Sequence, residues 1–361
     1  MKILAVAGAS GGHIYPALAF LERLSRESEK TEALLVLPSR SIKADFGSCN
    51  YPIRYISSGR VSFSLNRRSI SAFINFLKGG WEGFCIFSKF NPDIVVGFGS
   101  IDSIPLVMLA WFFRVKTIIH EQNLLPGKAN RFLAKFVDKV AISYPVSGKY
   151  FGLSESKIIF TGNPIRSGLS KIGKDEALGF FGLNKDRFTI LVMGGSQGSE
   201  RINTVILEAA KMIKDKEKLQ VIHLFGKQDY SAAISSYERL GIKAKAYGFF
   251  EAMKFAYSAA DLAITRAGAT TISELIYYKI PSIISPYPYA YEHQLENAKI
   301  LERAGCGIII KDGEFLAGRL KGIIDDFISD PNKIVTMRLG YAGIAEVDAA
   351  GELVKVLSSL I

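Results

Sequence analysis

The stretch Asp261–Glu274, DLAITRAGATTISE, has the residue types of a pocket for a phosphorylated ligand. Asp261–Ile264 reads as a short buried strand and Ile272 onward as a helix, with the small residues of Arg266–Thr271 as the loop between them. A helix starting there directs free N–H groups and the positive end of its dipole at whatever binds, which suits a phosphate. Glu274, read as lying in the first turn, is placed to accept two ribose hydroxyls. Thr271-x-x-Glu274 also fits a capping box, a purely structural use of the same residues.

Four histidines are candidate bases. A hydroxyl nucleophile needs a base that works near neutrality, and imidazole is the usual choice. His13 follows directly on Gly11-Gly12 and is the preferred candidate. His120 ends a strand beside Glu121 and reads as orienting that loop, while His223, in the apolar run Val221–Phe225, reads as structural. His293 fits a helix surface. There is no D-x-D for a metal–diphosphate clamp and no zinc spacing, so neither metal nor cofactor is expected. The charge of an anionic leaving group then falls to helix N-termini, hydroxyls and an arginine, and Ser196, Thr270, Thr271 and Arg166 are suitable.

These groups need a scaffold. Lys2–Ala7, Leu34–Leu37, Ile53–Ile56, Ile94–Val96, Thr117–His120 and Lys139–Ile142 read as strands alternating with helices, the first helix running from about Ile14 to Arg26. After the polar hinge Thr161-Gly162-Asn163-Pro164 the alternation restarts with Phe188–Met193, Gln220–Leu224, Lys243–Tyr247, Asp261–Ile264, Ser282–Ser285 and Gly307–Ile310. The expected fold is α/β, two Rossmann-like, doubly wound parallel sheets over residues 1–165 and 166–340. Residues 341–361 are expected to form a helix packing back on the first half. Glycine turns open both halves, Gly8-x-x-Gly11-Gly12 and Gly194-Gly195-Ser196-Gln197-Gly198. Neither has the spacing of a dinucleotide fingerprint or a P-loop. One such turn can be mere tight packing; two, each opening a half, read as two walls of one ligand cleft at the strands' carboxyl ends.

Composition limits the function classes. At 361 residues with 48% hydrophobic residues the chain can fill two cores. The longest apolar run, Ile104–Phe113, is too short to span a bilayer, and the N-terminal ILAVAG run lacks a signal-peptide pattern. Three scattered cysteines, Cys49, Cys85 and Cys306, fit a reducing compartment. Residues 1–165 carry 20 Lys/Arg against 11 Asp/Glu, and residues 166–361 carry 25 against 23, which points to an anionic partner for the first half. No nucleic-acid recognition module accompanies that charge.

The series Gly11-Gly12-His13-Ile14-Tyr15-Pro16-Ala17, His120-Glu121-Gln122-Asn123, Gly162-Asn163-Pro164-Ile165-Arg166, Gly194–Gly198, Gly268–Glu274 and His293-Gln294-x-x-Asn297-Ala298 resembles the MurG family of bacterial peptidoglycan enzymes over essentially the whole chain. The resemblance implies a GT-B fold and inverting transfer of N-acetylglucosamine from UDP-GlcNAc to undecaprenyl-diphosphate-N-acetylmuramoyl-pentapeptide (lipid I), giving lipid II. It implies that Ser10, Gly11 and Gly12 line the diphosphate and sugar side, that Asn123 holds the sugar, and that Arg166 and Ser196 reach the donor. It implies further that Phe250 meets the uracil through its backbone, that Ala269, Thr270, Thr271, Ile272, Ser273 and Glu274 hold phosphate and ribose, and that Gln294 lies near the sugar hydroxyls. The first turn departs from the family at Ala9 and Ser10, and the loop after Gly97 departs at Ser100 and Ile104, where glycine is usual.

Arg67-Arg68 precedes an apolar stripe of Ile70, Phe73, Ile74, Leu77, Trp81 and Phe84. Part of it must pack on the sheet. Arg60–Lys89 carries five basic residues against Glu82 alone, so the expectation is a peripheral membrane face marked by Arg67, Arg68, Trp81 and Phe84. The chain is then expected at the cytoplasmic face of the bacterial inner membrane, with an anionic membrane surface and other cell-wall synthesis proteins as partners. The competing readings are another GT-B UDP-sugar transferase with a different lipid acceptor, a UDP-sugar epimerase, and a non-catalytic membrane-associated UDP-sugar sensor.

Overall fold

The computed structural model describes residues 1–27, 30–41, 51–59, 67–166, 168–195, 197–290 and 292–360; for helix residues 67–73 it describes the backbone alone. Ser196, Arg60 and Cys49 lie outside the described residues, as do the side chains of Arg67 and Arg68. The chain divides into two compact units, Met1–Ser167 with Val347–Ile361, and Gly168–Glu346.

In the first unit seven strands form one parallel sheet: β1 (Lys2–Val6), β2 (Glu32–Pro38), β3 (Ile53–Ile56), β4 (Ile94–Gly97), β5 (Lys116–Glu121), β6 (Lys139–Ile142) and β7 (Ile158–Phe160). Their order is 3-2-1-4-5-6-7, so the chain reverses its winding between β1 and β4. Alternate residues of β1 enter different cores. Ile3 and Ala5 pack with Ile14, Phe20 and Leu24 of α1 (Gly11–Glu27), and Leu4 and Val6 pack on the other face with Leu106 and Val107. Helices α2 (Arg67–Phe90), α3 (Ile104–Phe112) and α4 (Lys128–Leu133) complete the first pass. The sequence reading missed β7, whose three residues are all only half-buried and show no alternation. It also started α1 too late: Gly11 and Gly12 are helical, with the N–H groups of His13 and Ile14 both donating to Ser10 O.

The second unit repeats the plan with six strands: β8 (Phe188–Met193), β9 (Leu219–Leu224), β10 (Lys243–Tyr247), β11 (Leu262–Thr265), β12 (Ser282–Ile284) and β13 (Gly307–Ile309). They are all parallel in the order 10-9-8-11-12-13, with the switch point between β8 and β11. Its helices are α5 (Lys174–Phe181), α6 (Glu200–Met212), α7 (Ser231–Arg239), α8 (Met253–Ala259), α9 (Ala269–Tyr278), α10 (His293–Arg303), α11 (Ala317–Ser329) and α12 (Asn332–Leu339).

The chain leaves this unit later than the expected residue 341. Tyr341 is buried in it and donates to Ile280 O, and Glu346 pairs with both Lys171 and Lys279. Beyond it, α13 (Ala349–Ser358) buries Leu353 and Leu357 against α1, and Asp348 meets Arg23 at 2.7 Å. Among the described residues no helix is long and apolar enough to cross a membrane.

Candidate active site

In the first unit the turn after β1 and the loops after β4 and β5 converge on His13. Its ring is wedged by backbone. A Cβ at Gly8 would stand 2.9 Å from His13 Cδ2 and 2.3 Å from Ser100 Cβ, so only glycine fits there. Ser100, where the family usually has glycine, holds a left-handed φ of 74°. Its hydroxyl donates to Asp102 Oδ2 at 2.9 Å, and the same carboxylate accepts from Arg40 Nη2 at 2.7 Å. His13 Nδ1 lies 3.1 Å from Gln122 Oε1. Ser10 is exposed at the mouth of this turn and Gly11 is buried beneath it.

The loop carrying Asn123 is held by Glu121. That carboxylate is 1% exposed and accepts four hydrogen bonds, from Asn123 N and Nδ2, Gly127 N and Asn130 Nδ2, all at 2.9–3.0 Å. Buried His120 stays neutral because burial lowers its pKa to about 4, and its Nε2 donates to Gly162 O at 2.9 Å. Arg166, expected to reach the donor, stacks its guanidinium 4.5 Å from the Tyr15 ring on α1.

In the second unit the stretch read as a phosphate pocket differs from the sequence reading in where its helix begins. The helix α9 starts at Ala269, not Ile272, and Gly268 is its N-cap without a side-chain cap. No capping box forms, and Glu274 falls in the second turn, because the small residues Ala269-Thr270-Thr271 extend the helix backwards. The N–H groups of Ala269, Thr270 and Thr271 are therefore the ones without intrahelical acceptors. Beside them the Thr270 hydroxyl is buried and has no hydrogen-bond partner among the described residues. Glu274 is 3% exposed and accepts from the Tyr257 hydroxyl at 2.6 Å. Ile272 is core, and Ser273 Oγ donates back to Ala269 O at 3.0 Å.

Gln294 and Arg266 shape the loop before α9. Gln294 Oε1 accepts from the N–H of Ala267 and Tyr287 at 3.1 and 2.9 Å. Arg266, which the sequence reading passed over, is buried and donates to Ser285 O, Asp312 Oδ1 and Ser199 Oγ at 3.0, 2.6 and 2.9 Å. It fastens the loops after β8, β11, β12 and β13 to one another. The sole sequence signal was its place beside Gly268. In the second glycine turn Gly198 (φ +77°) would put a Cβ 2.2 Å from Phe225 O, so that glycine serves packing. Phe250 sits with its ring 4.8 Å from Tyr247 and 5.4 Å from Phe181, so its side chain belongs to an aromatic cluster. His223 bonds Tyr237 and Asn203, and burial lowers its pKa to about 3.

A third feature lies on α2 and α3. Ile74, Leu77 and Trp81 are exposed, Trp81 at 67%, so this part of the stripe does not pack on the sheet. Phe84 is half-buried, between Trp81 at 5.7 Å and Phe113 at 6.5 Å. Exposed Trp111, Phe112 and Phe113 continue the aromatic surface, and Trp111 leads on through Phe136 to exposed Phe132. Glu82 faces inward and accepts from Ser57 N and Oγ.

Comparison with known proteins gives these features a family. Residues 3–142 match the glycosyltransferase family 28 N-terminal domain and residues 189–351 the family's C-terminal domain. A protein of Desulforamulus reducens is 33% identical over 100% of this chain and 99% of its own length, and one of Halothermothrix orenii is 35% identical over 93% of each. Both are named UDP-N-acetylglucosamine–N-acetylmuramyl-(pentapeptide) pyrophosphoryl-undecaprenol N-acetylglucosamine transferase. The chain belongs to glycosyltransferase family 28. Its fold is GT-B: the crystal structure of Acinetobacter baumannii MurG superposes with a TM-score of 0.77 at 23% identity, covering 99% of this chain and all of that one. A putative UDP-N-acetylglucosamine 2-epimerase from Listeria monocytogenes gives 0.73 at 12% identity over 100% of this chain and 96% of its own, so the fold is shared beyond family 28.

Proposed function

We propose that this glycosyltransferase moves N-acetylglucosamine from UDP-GlcNAc to lipid I with inversion, forming lipid II. The observation that carries the reading is full-length similarity at 33–35% identity to enzymes named for that reaction, with all six motifs in order. In this reading a hydroxyl of the N-acetylmuramoyl group attacks the anomeric carbon and its proton passes to His13. The bond to the diphosphate oxygen breaks and UDP leaves with the electron pair. In the second unit the N-terminal N–H groups of α9 and the Thr270 hydroxyl meet the diphosphate, and Glu274, steadied by Tyr257, meets the ribose. Gln294 and Asn123 are assigned to the sugar, Arg166 and Ser196 to the donor, and the Phe250 backbone to uracil. A sensor has no need of His13, Asn123, Glu274 and Gln294 together. Incubation with labelled UDP-GlcNAc and a lipid I analogue tests the reading. Lipid II is the expected product; hydrolysis alone, or binding without turnover, would refute it.

The acceptor's lipid tail requires contact with a bilayer, and the exposed aromatic surface from Trp81 to Trp111 supports a docking face there. Basic residues stand near its aromatic residues in sequence, among them Lys78, Lys89, Arg114 and Lys135. In this reading the chain works peripherally at the cytoplasmic face of the bacterial inner membrane.

A further inference from the structure

The first unit contains a run of hydrogen bonds whose direction is set at the backbone end. Gln122 is 1% exposed, and its Nε2 lies 3.2 Å from Phe98 O, 3.1 Å from His120 O and 3.1 Å from His120 Nδ1. Two carbonyl oxygens at that distance require the amide nitrogen to face them, since an oxygen turned the same way would repel both. The carboxamide oxygen must then face His13. At the far end, His120 Nε2 sits 2.9 Å from Gly162 O, an acceptor only, so it carries the proton and leaves Nδ1 as an acceptor facing Gln122, whose two amide hydrogens are shared among Phe98 O, His120 O and this Nδ1. The two ends agree on one polarity.

We propose that Gln122 is a positioning residue that fixes the tautomer of His13: its Oε1 accepts from His13 Nδ1–H and so leaves Nε2 with the free electron pair. The proposal rests on the reading of His13 as the base. Free histidine favours the opposite tautomer, with Nε2 protonated and unable to take a proton from an attacking hydroxyl. A ring nitrogen's state is set by the bond its partner nitrogen makes, and Gln122 supplies that bond without a charge. Burial keeps His120 neutral, so the run does not reverse by protonation at its centre. Backbone flanks the ring on both sides: a Cβ at Gly99 would lie 3.3 Å from Nδ1 and Cε1, and one at Gly8 would lie 2.9 Å from Cδ2.

Nitrogen-15 spectra of histidine-labelled protein read the tautomers directly, and four histidines give an assignable set. The His13 signals are those lost in His13→Gln. The neutral form of His13 should show a protonated Nδ1 and an unprotonated Nε2, while His120 shows the reverse. In Gln122→Met, similar in volume but without the acceptor, His13 should shift toward the Nε2–H form. With lipid I analogue, kcat should then fall about tenfold to a hundredfold while the KM for UDP-GlcNAc stays within about twofold. Nε2–H in wild-type His13 overturns the proposal without any variant needing to fold. So does a Gln122→Met enzyme with altered tautomer and unchanged kcat. If His13→Gln itself keeps kcat, the base reading fails; if His13→Gln is inactive and either of the other results holds, only the role of Gln122 fails.

Discussion

Glu274 and Tyr257 share a hydrogen bond of 2.6 Å in the interior of the second unit, and that burial decides how the carboxylate should be tested. Truncation to alanine would open a cavity beside Tyr257 and confuse folding with binding. Glu274→Gln keeps the volume and an acceptor for Tyr257 but removes the charge. It should weaken UDP by about 1.5–3 kcal/mol, the range for a charged hydrogen bond, in a calorimetric titration; unchanged affinity would remove the ribose assignment. The two buried histidines make a separate prediction. Their folded-state pKa values, about 4 for His120 and about 3 for His223, lie below the ordinary 6.5 because of burial. The unfolded chain therefore takes up protons between pH 6.5 and 4 that the folded chain refuses. Stability should be level above pH 7 and fall as the pH drops, at about 1.4 kcal/mol per pH unit for each histidine. Urea melts at pH 7 and pH 5 measure this, and equal stability at both would contradict it.

At the scale of elements, the glycine turns divide their labour. Gly198 has a positive φ and backbone of Phe225 where a Cβ would go, while a Cβ at Gly195 would meet nothing within 4 Å. Gly198→Ala should cost about 1–3 kcal/mol through backbone strain alone, more with the clash, and lower the melting temperature. A wild-type melting curve would show that the turn relaxes freely. Helices α2 and α3 carry a different expectation, because their exposed aromatic residues add nothing to the core. Trp81→Ala with Phe112→Ser should abolish sedimentation with anionic vesicles and leave melting temperature and UDP affinity as they were. Arg67→Glu with Arg68→Glu should weaken it by about 1 kcal/mol per residue, and most strongly at low salt. Undiminished vesicle binding by all four changes would end the docking proposal. Most strands were legible because both-face burial leaves unbroken runs of Ile, Leu and Val. Helix starts were not: glycine and small residues at 11–12 and 269–271 look like loop in sequence and are helical in the structure.

The molecule as a whole follows from two rounds of one winding rule, and the sequence showed both rounds in its strand alternation. What it could not show was pairing over long range: Gln122 with His13, Tyr257 with Glu274, Arg266 with Ser199 and Asp312. Each joins residues of separate elements or loops that meet only when the sheet order brings them together. Helix α13 is the longest-range case, since Leu353 and Leu357 complete a core begun by Ile3 and Ile14. A fragment of residues 1–167 should therefore fold poorly alone and gain a cooperative melt when a peptide of residues 347–361 is added; a fragment equally cooperative without it would show α13 to be dispensable. The same arrangement sets an order in biosynthesis. All of Gly168–Glu346 is translated between the two pieces of the first unit, so that sheet waits with one apolar face unsealed while its neighbour forms. A ribosome that stalls just after Glu346 holds a chain whose second unit is finished and whose first unit still offers that open face to a chaperone or a protease.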